Sequence, residues 1–545
     1  MHKTKKAALA LATVLALGIS PIASAHSLAR DSSAQPPLVI VPSPTGNFQD
    51  NFSPFQGNQN YGTGGLIYQT LFYYNTLGPQ VYPLLGVNSK WSNGNKTLTV
   101  NLQPKARWSD GKAFTSADVV FTFNLLKQYP AADTNGDWQQ LQSVKAAGPH
   151  TVVFHFKTAD VPFAWYVLGQ TYIVPQHIWA KLGNPAKVAM TTPIGTGPYV
   201  LSDFSPQVYH MKTNPYFYGP KPAVTNLEFP AYSGNDSADM ALAKGDIAWS
   251  GIFIPNIRQI YAYKSPHNKY WFPAGGIQTL YANLKNPNLK NLAVRRAISM
   301  AMNRQQMSTE GEYGYEGVPS PTGLILPANQ PWLDKQLPKS DLAFSYNPNA
   351  SIKLLEQAGY KRNKQGMFMD KKGKPLSFTL QVPTGWTDWD TDCQIIEENL
   401  KQIGINVSLQ EEQFGAYYGN LNSHHFQLAM SWTVAGPTPY YLYYNMLSKT
   451  GNWNLEQWSN PKTEQALKAF QSTTNAAQQH RAINALEQQM AEQLPTIPVV
   501  FNAVWYEYND ANYTGWPTPS NPYSNPAPYT SPAIAVVLAH LHPVK

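Results

Sequence analysis

The chain has 545 residues, which is too long for one ordinary hydrophobic core, so we expect two or three domains. Hydrophobic residues make up 43% of it, which is typical of a globular protein. Charged residues make up only 13%, below the roughly 25% typical of soluble proteins, which suits a protein that works in acid, where carboxylates lose their charge. Without Lys3, Lys5 and Lys6 of the leader, the formal net charge falls by 3 from +8 to +5, and this modest excess argues against nucleic acid as a partner.

Residues 1–25 have the pattern of a secretory signal. Three lysines precede an apolar run from Ala7 to Leu17, and Ala23-Ser24-Ala25 forms a small-residue cleavage site. The alternative is a retained membrane anchor, but polar and proline residues after Leu17 interrupt the run before it is long enough to span a bilayer. The site has no cysteine for lipid attachment, so we expect a secreted periplasmic or extracytoplasmic protein without a lipid anchor.

The stretch from Lys96 to Lys127 predicts a strand followed by a turn and a helix. Apolar and polar residues alternate from Leu98 to Leu102, which is the period of a half-buried strand. Ser109–Lys112 supplies turn residues, and Thr115 and Asp118 then have the spacing of a capping box. Four apolar residues fall on one face of the predicted helix: Val119, Val120, Phe123 and Leu126.

Residues 108–112, WSDGK, followed by residues 114–121, FTSADVVF, form the most specific motif of the chain. They resemble, almost position for position, the family 5 extracytoplasmic solute-binding proteins of ABC importers, which include peptide, dipeptide and nickel binding proteins. Ile194–Tyr199 resembles the GTGPY turn of that family; by itself it indicates only a tight turn, because the other residues of a phosphate-binding loop are missing. Further matches follow in the expected order: Asn214–Gly219, Met240–Ala248 and Leu292–Ile298.

The resemblance implies an α/β fold like that of periplasmic binding proteins, with two lobes joined by two crossover strands and an extra subdomain on the first lobe. The implied division is a signal peptide at 1–25, lobe I at 26–62, 192–282 and 500–545, the extra subdomain at 63–191, and lobe II at 283–499. The resemblance also implies a helix within Gly64–Tyr74 and crossover strands at Gly276–Leu284 and Ile497–Tyr508.

The residues of lobe II themselves indicate alternating helices and strands, which is typical of an α/β lobe. The predicted elements are a helix from Pro348 to Gly359, a helix that ends at Gly404, strands at 405–409 and 426–432, and a long helix at 476–494. Asn347 can cap the first of these helices. Arg295 and Arg296 could form an anion site, but we expect a solvated helix face there.

No residue pattern predicts catalysis, a cofactor or a metal site. Asp388, Asp390 and Asp392 alternate like the start of a calcium loop, but Cys393 stands where that loop requires glycine. We interpret these acids as residues favoured near a helix N-terminus. Cys393 is the only cysteine, which excludes an intramolecular disulfide.

Aromatic residues are abundant, with 15 Trp and 32 Tyr. Flat rings with a polar edge stack on sugars or pack around peptide side chains, although core packing explains most of these residues. In relatives, certain segments border the ligand cleft, and we expect the ligand to contact the residues that this chain has there: Tyr61, Trp249, Gln278, Tyr281, Trp386 and Trp432.

Residues 431–439, SWTVAGPTP, bear on the class of ligand. Peptide-binding relatives have an Asp here, which pairs with the α-ammonium group of the peptide, whereas this chain has Ala435-Gly436-Pro437-Thr438. Without that carboxylate a buried ammonium group would be unpaired, a loss of roughly 3–5 kcal/mol. The GPTP segment, together with Gly515–Thr518 and Asn521–Tyr523, resembles the branch of the family associated with oligosaccharides, which implies a short oligosaccharide with Gly436 and Thr438 among its contacts. An oligopeptide or dipeptide is the main alternative, ahead of nickel or haem.

The predicted function is that of the substrate-binding protein of an ABC transporter, which captures an oligomeric solute between its lobes and delivers it to the permease subunits. No bond is made or broken, so the protein is not an enzyme. We expect a monomer. The alternative from another class is a secreted glycoside hydrolase, in which the aromatic residues would form sugar subsites and two acids the catalytic pair.

Overall fold

The computed structural model describes residues 36–544, and the predicted signal peptide lies outside them. A seven-stranded sheet forms the first lobe; its strands in spatial order are Asn268–Tyr270, Glu507–Asn509, Trp249–Ser250, Leu38–Val41, Asn226–Pro230, Val208–Thr213 and Tyr199–Phe204. A five-stranded sheet forms the second lobe; its strands are Asn406–Glu412, Ser377–Pro383, Leu428–Trp432, Ala274–Ala282 and Ile497–Ala503.

Two short segments connect these sheets. Residues 271–273 lead from the first sheet into the second, and residues 504–506 lead back. The segments lie side by side, since the backbone N–H of Trp271 donates to the carbonyl of Tyr506 at 3.0 Å. The predicted single strand Ile497–Tyr508 is therefore two strands, because the chain leaves one sheet before it joins the other.

Two of the predicted lobe boundaries, at residues 282 and 499, fall in strands of the second sheet. Residue 282 is the last residue of the strand Ala274–Ala282, and residue 499 lies inside the strand Ile497–Ala503. Both strands belong to the sheet of the second lobe. The domain bounds given above stay a prediction.

The region between residues 80 and 160 contains a four-stranded antiparallel sheet. Its strands in spatial order are Gly86–Ser92, Thr97–Leu102, Thr151–Phe156 and Leu141–Ala146. The helix Ser116–Gln128 lies in the chain between the strands Thr97–Leu102 and Leu141–Ala146. Its predicted capping box is confirmed: Thr115 N donates to Asp118 Oδ2 at 3.0 Å, and Ala117 N donates to Thr115 Oγ1 at 3.3 Å. Three of the four predicted apolar residues are buried, and Val120 is half-buried.

The predicted helix within Gly64–Tyr74 is wrong. The structure has one irregular turn at Thr63–Ile67, in which Gly65 has a φ of +88°, followed by an extended strand at Phe72–Tyr74. The carbonyl of Ile67 accepts from Gly197 N at 2.8 Å, and neither Gly195 nor Gly197 leaves room for a Cβ atom there. The GTGPY turn thus packs directly against this backbone and holds it out of helical geometry.

The predicted elements of the second lobe are confirmed with shifted ends. Residues 36–544 form these helices of eight or more residues: Ser116–Gln128, Asn235–Lys244, Leu292–Ala301, Pro348–Gln357, Thr387–Gln402, Phe414–Asn422, Pro439–Leu447, Pro461–Gln471, Ala476–Gln493 and Ala533–His540. Asn347 caps its helix as expected, because its Oδ1 accepts from Ala350 N at 2.9 Å. None of the helices in residues 36–544 combines the length and apolar character that crossing a bilayer requires.

The expected solvated face at Arg295 and Arg296 is wrong for Arg295. Arg295 is 3% exposed, and its guanidinium group donates four hydrogen bonds of 2.8 Å to backbone carbonyl oxygens. These carbonyls belong to Leu289, Lys290, Gln493 and Leu494. Arg295 therefore joins the end of the long helix Ala476–Gln493 to the start of the helix Leu292–Ala301.

Candidate functional site

The candidate site begins at one edge of the second sheet. The strands Ser377–Pro383, Asn406–Glu412 and Leu428–Trp432 run parallel, so their carboxyl ends meet at that edge. Ligand sites of open α/β sheets commonly lie beyond this edge. Trp386 follows the first of these strands and Trp432 ends the last, which places their ring centroids 6.2 Å apart.

Five aromatic side chains gather there, and we call them the tryptophan platform: Trp386, Trp389, Tyr418, Trp432 and Trp453. Trp432 is at the centre; its ring stacks on Trp453 at a centroid distance of 5.1 Å and lies nearly parallel to Tyr418 at 6.5 Å. Trp386 and Trp432 are half-buried, and Tyr418 is 40% exposed. The platform therefore combines a fixed arrangement of rings with aromatic surface that a ligand can contact.

Buried side chains fix the backbone at the centre of the platform. The carbonyl of Trp432 accepts from the Tyr281 hydroxyl at 3.1 Å and from Trp453 Nε1 at 2.7 Å. Tyr281 itself is fully buried, so its observed contact with the site is through Trp432. Both bonds keep the Trp432 backbone in place.

The loop after Trp432 contains the other two predicted contacts, Gly436 and Thr438. Gly436 is packed against the ring of Tyr441, and an added Cβ atom would lie 2.6 Å from ring carbons. Thr438 Oγ1 is buried and has no hydrogen-bond partner among residues 36–544. Buried hydroxyl groups are normally hydrogen-bonded, so a partner for Thr438 would have to come from outside the described residues.

The segment Pro162–Tyr166 contacts the helix Pro439–Leu447 behind this loop. The Tyr441 hydroxyl donates to the carbonyl of Pro162 at 2.6 Å, and the Tyr166 hydroxyl donates to Asn445 Oδ1 at 3.3 Å. The rings of Trp165 and Tyr441 lie 4.5 Å apart. The predicted extra subdomain and the second lobe are thus in direct contact next to the site.

Two predicted site residues, Trp249 and Tyr61, lie apart from the platform, and a third, Gln278, lies directly opposite Trp432 on the neighbouring strand. Trp249 is fully buried in the first lobe, where its Nε1 donates to the carbonyl of Pro526 at 3.0 Å. Tyr61 is half-buried, and its carbonyl accepts from the Tyr209 hydroxyl at 2.9 Å. Gln278 is fully buried beneath the platform. Ligand contact by these and the other predicted residues stays a prediction.

Sequence reasoning missed three members of the platform: Trp389, Tyr418 and Trp453. Trp389 lies three residues after Trp386 on the helix Thr387–Gln402, so helical spacing could have identified it. Trp453 lies in a loop, and Tyr418 on a helix with several aromatic residues, so neither had a distinguishing local signal.

The acids beside the platform differ in environment. Asp388 and Asp390 lie in the first turn of the helix Thr387–Gln402, as expected. Burial and the nearby Glu411 raise the pKa of Asp390 to about 6. Asp392 lies beyond that first turn, where attraction to the helix N-terminus has fallen off, so this attraction does not account for it.

A family model described as "Bacterial extracellular solute-binding proteins, family 5 Middle" matches residues 80–454, more than half of the chain. The oligopeptide-binding protein AppA of Bacillus subtilis (strain 168) is 25% identical over 433 residues, which cover 75% of this chain and 76% of AppA.

The crystal structure of a periplasmic oligopeptide-binding protein of an oligopeptide ABC transporter from Thermotoga maritima is also similar. It has 26% sequence identity and a TM-score of 0.86, and the match covers 93% of this chain and 99% of that one. A structure of the same protein with bound mannohexaose has 26% identity and a TM-score of 0.82, covering 93% and 98%. These likenesses confirm the predicted two-lobed α/β fold.

Proposed function

Because this chain belongs to the family 5 bacterial extracellular solute-binding proteins, which bind solutes and are not enzymes, we propose that it captures an oligomeric solute between its lobes and delivers it to the permease of an ABC importer. The tryptophan platform is the observation that carries this proposal. It lies at the edge of the second sheet where the two connecting segments also emerge, so a ligand held there would lie where the lobes meet. Contacts from both lobes would favour the closed protein.

We infer that the ligand is a short oligosaccharide. Partly exposed, nearly parallel rings suit stacking on sugar rings, and the unpaired Thr438 hydroxyl suits a sugar hydroxyl. The Thermotoga maritima relative with bound mannohexaose supports this class. Residues 435–438, in the loop that follows Trp432, contain no carboxylate that could pair with the ammonium group of a peptide.

An oligopeptide is the second candidate, and specific observations favour it as well. Two similar proteins are named as oligopeptide-binding. Asp390, in the same helical turn as Trp386, and the neighbouring Glu411 could supply the negative charge that residues 435–438 lack.

Thermal unfolding with each class of ligand tests the proposal. We expect mannohexaose or a cello- or xylo-oligosaccharide to raise the melting temperature, because a ligand at 100 times its dissociation constant stabilises the native state by about 2.7 kcal/mol. Peptides of six to nine residues are the matched comparison. A shift with peptides alone would overturn the oligosaccharide proposal, and chromatographic detection of shortened sugars would overturn the binding function itself.

Replacing Gly436 by alanine should weaken ligand binding about tenfold. The added Cβ would displace the Tyr441 ring and break its hydrogen bond to the Pro162 carbonyl, worth roughly 1 kcal/mol, together with ring packing against Trp165. Isothermal titration calorimetry with the ligand found above measures the change.

Gly57→Ala is the control, since Gly57 is exposed and an added Cβ would meet no atom within 4 Å. Equal affinities of the Gly436→Ala variant and the unmodified protein would show that the contact of Tyr441 with Pro162 and Trp165 does not contribute to ligand binding.

A further inference from the structure

Four carboxylic acids meet inside the second lobe beneath the platform. Glu312 and Glu316 follow the turn Met307–Gly311, and Asp388 and Asp392 lie on the helix Thr387–Gln402. None is more than 7% exposed. Gly311 packs so closely against Asp392 that a Cβ atom would not fit, which lets the two elements approach.

A buried amide connects two of the acids to the strands that lead into the connecting segments. Gln278 Nε2 donates to Glu312 Oε1 at 2.8 Å and to Glu316 Oε2 at 2.7 Å. Glu316 Oε1 also accepts from the backbone N–H of Ala503, the last residue before the second connecting segment. Gln278 Oε1 has no hydrogen-bond partner among the described residues, so the cluster lacks a donor at that point.

The geometry of the cluster requires protons. Both carboxyl oxygens of Asp392 and Oε2 of Glu312 are buried and have no hydrogen-bond donor among residues 36–544, so ionised carboxylates there would carry unsatisfied buried charge. None of the ion pairs formed within residues 36–544 includes any of the four acids. The titratable groups that face the cluster are Asp390, Cys393 and Tyr529, with Glu411 next to Asp390, and none of them is a cation.

A divalent cation is the other ligand that buried carboxylates could bind. Within residues 36–544, however, no three His, Cys, Asp or Glu side chains are arranged so that they could hold a metal ion. Burial and mutual repulsion instead raise the pKa of each of the four acids, that of Asp388 to about 6.

The same segment also contacts the first lobe. The Tyr315 hydroxyl accepts from Ile257 N at 2.8 Å and donates to the Ile254 carbonyl at 3.1 Å. The Tyr315 ring packs against Phe272 at 5.2 Å. Tyr315 precedes Glu316, so a residue that contacts the first lobe is directly joined to a residue of the acid cluster.

We propose that Glu312, Glu316, Asp388, Asp392 and Gln278 form a proton-binding site that holds the segment 312–316 against both lobes, so that acid stabilises the fold and strengthens ligand capture. Ionisation places uncompensated negative charges together in the interior, which pushes the segment away from Gln278 and Ala503. The effect on ligand capture rests on the proposed function, whereas the effect on stability does not.

The sign of the pH dependence follows from proton binding. The folded protein keeps its protons to a higher pH than the unfolded chain, whose acids ionise near pH 4. The contribution of the cluster to the free energy of unfolding is therefore fully present below about pH 4. It declines as the pH rises through 6, where Asp388 ionises in the folded protein, and continues to decline at higher pH as the other acids ionise.

The experiment measures urea unfolding of the ligand-free protein between pH 4 and 8, with Glu312→Gln and Asp392→Asn as variants that imitate the protonated acid. We expect the unfolding equilibrium constant of the unmodified protein to rise with pH. In each variant that folds, the factor by which this constant rises per pH unit should be smaller by up to tenfold, because one titrating acid is missing. A pH dependence that is unchanged in both variants would overturn the proton site.

Mannohexaose affinity over the same pH range tests the coupling to ligand capture. Asp137→Asn is the matched control, because Asp137 is an equally buried acid, with a pKa raised to about 8 by burial and Asp133, that belongs to another part of the fold. Glu312→Gln should flatten the pH dependence of affinity and Asp137→Asn should not. The same flattening in both variants would overturn the coupling. Absence of mannohexaose binding at every pH would reject the proposed sugar, and the proton site would then be tested by the unfolding result alone.

Discussion

Replacing Trp432 by alanine should weaken ligand binding about a hundredfold, which corresponds to roughly 2.7 kcal/mol. Trp432 lies at the centre of the platform, so its loss removes both its own stacking surface and the ring against which Trp453 and Tyr418 are ordered. Burial of a large side chain is worth about 1.5–3 kcal/mol, and aromatic stacking adds about 0.5–1.5 kcal/mol. Calorimetric titration with mannohexaose, or with whichever solute proves to bind, measures the effect.

Trp332→Ala is the matched control. Trp332 is also a half-buried tryptophan of the second lobe, but it packs against Phe470 and His480 and not against the platform. Its replacement should leave the affinity within about twofold. If Trp432→Ala bound the ligand as tightly as the unmodified protein, the platform would no longer be the candidate site.

Replacing Arg295 by methionine should lower the free energy of unfolding by about 3 kcal/mol. The change keeps much of the side-chain volume but leaves four buried or partly buried carbonyl groups without their donor. Removing one partner from buried hydrogen bonds costs about 1–3 kcal/mol, and more where the partner is charged. Urea unfolding followed by far-ultraviolet circular dichroism measures the loss.

Arg296→Met is the control because it changes the same residue type at the next position of the same helix. Arg296 is exposed and donates to the carbonyl of Glu492, so its loss should change stability by less than about 0.5 kcal/mol. Arg295→Lys should recover only part of the stability, since an ammonium group cannot reproduce the planar fork of donors. Equal stabilities of the two methionine variants would contradict the role assigned to Arg295.

The pH measurements proposed above also address the low content of charged residues. Asp160, Asp239 and Glu507 are buried as well, and burial raises the pKa of each, to about 7, 7 and 8. With the carboxyl cluster, they give the folded protein several acids that bind protons more tightly than the unfolded chain does. The expectation that the protein works in acid stays a prediction, with the unfolding curves as its measurement.

The sequence by itself predicted the starts of helices, because the residues that cap a helix are neighbours in the chain. Thr115 and Asp118 predicted the start of a helix because a capping box is formed between neighbours in sequence. Asn347 and Pro348 did so for another helix. The WSDGK and GTGPY motifs pointed correctly to the family, because they were compared with a known pattern.

The tertiary structure alone decided which residues share a site. Trp386 and Trp432 are far apart in sequence and meet because parallel strands end at one edge of a sheet, and Trp453 joins them from a loop through its hydrogen bond to the Trp432 carbonyl, so local periodicity could not bring them together. The same is true of Arg295, because two of its four carbonyl partners, Gln493 and Leu494, lie some two hundred residues away, and of Gln278, which donates to buried acids far along the chain. Sequence patterns report the periodicity of one segment, whereas contacts between segments depend on how the sheets are ordered and packed.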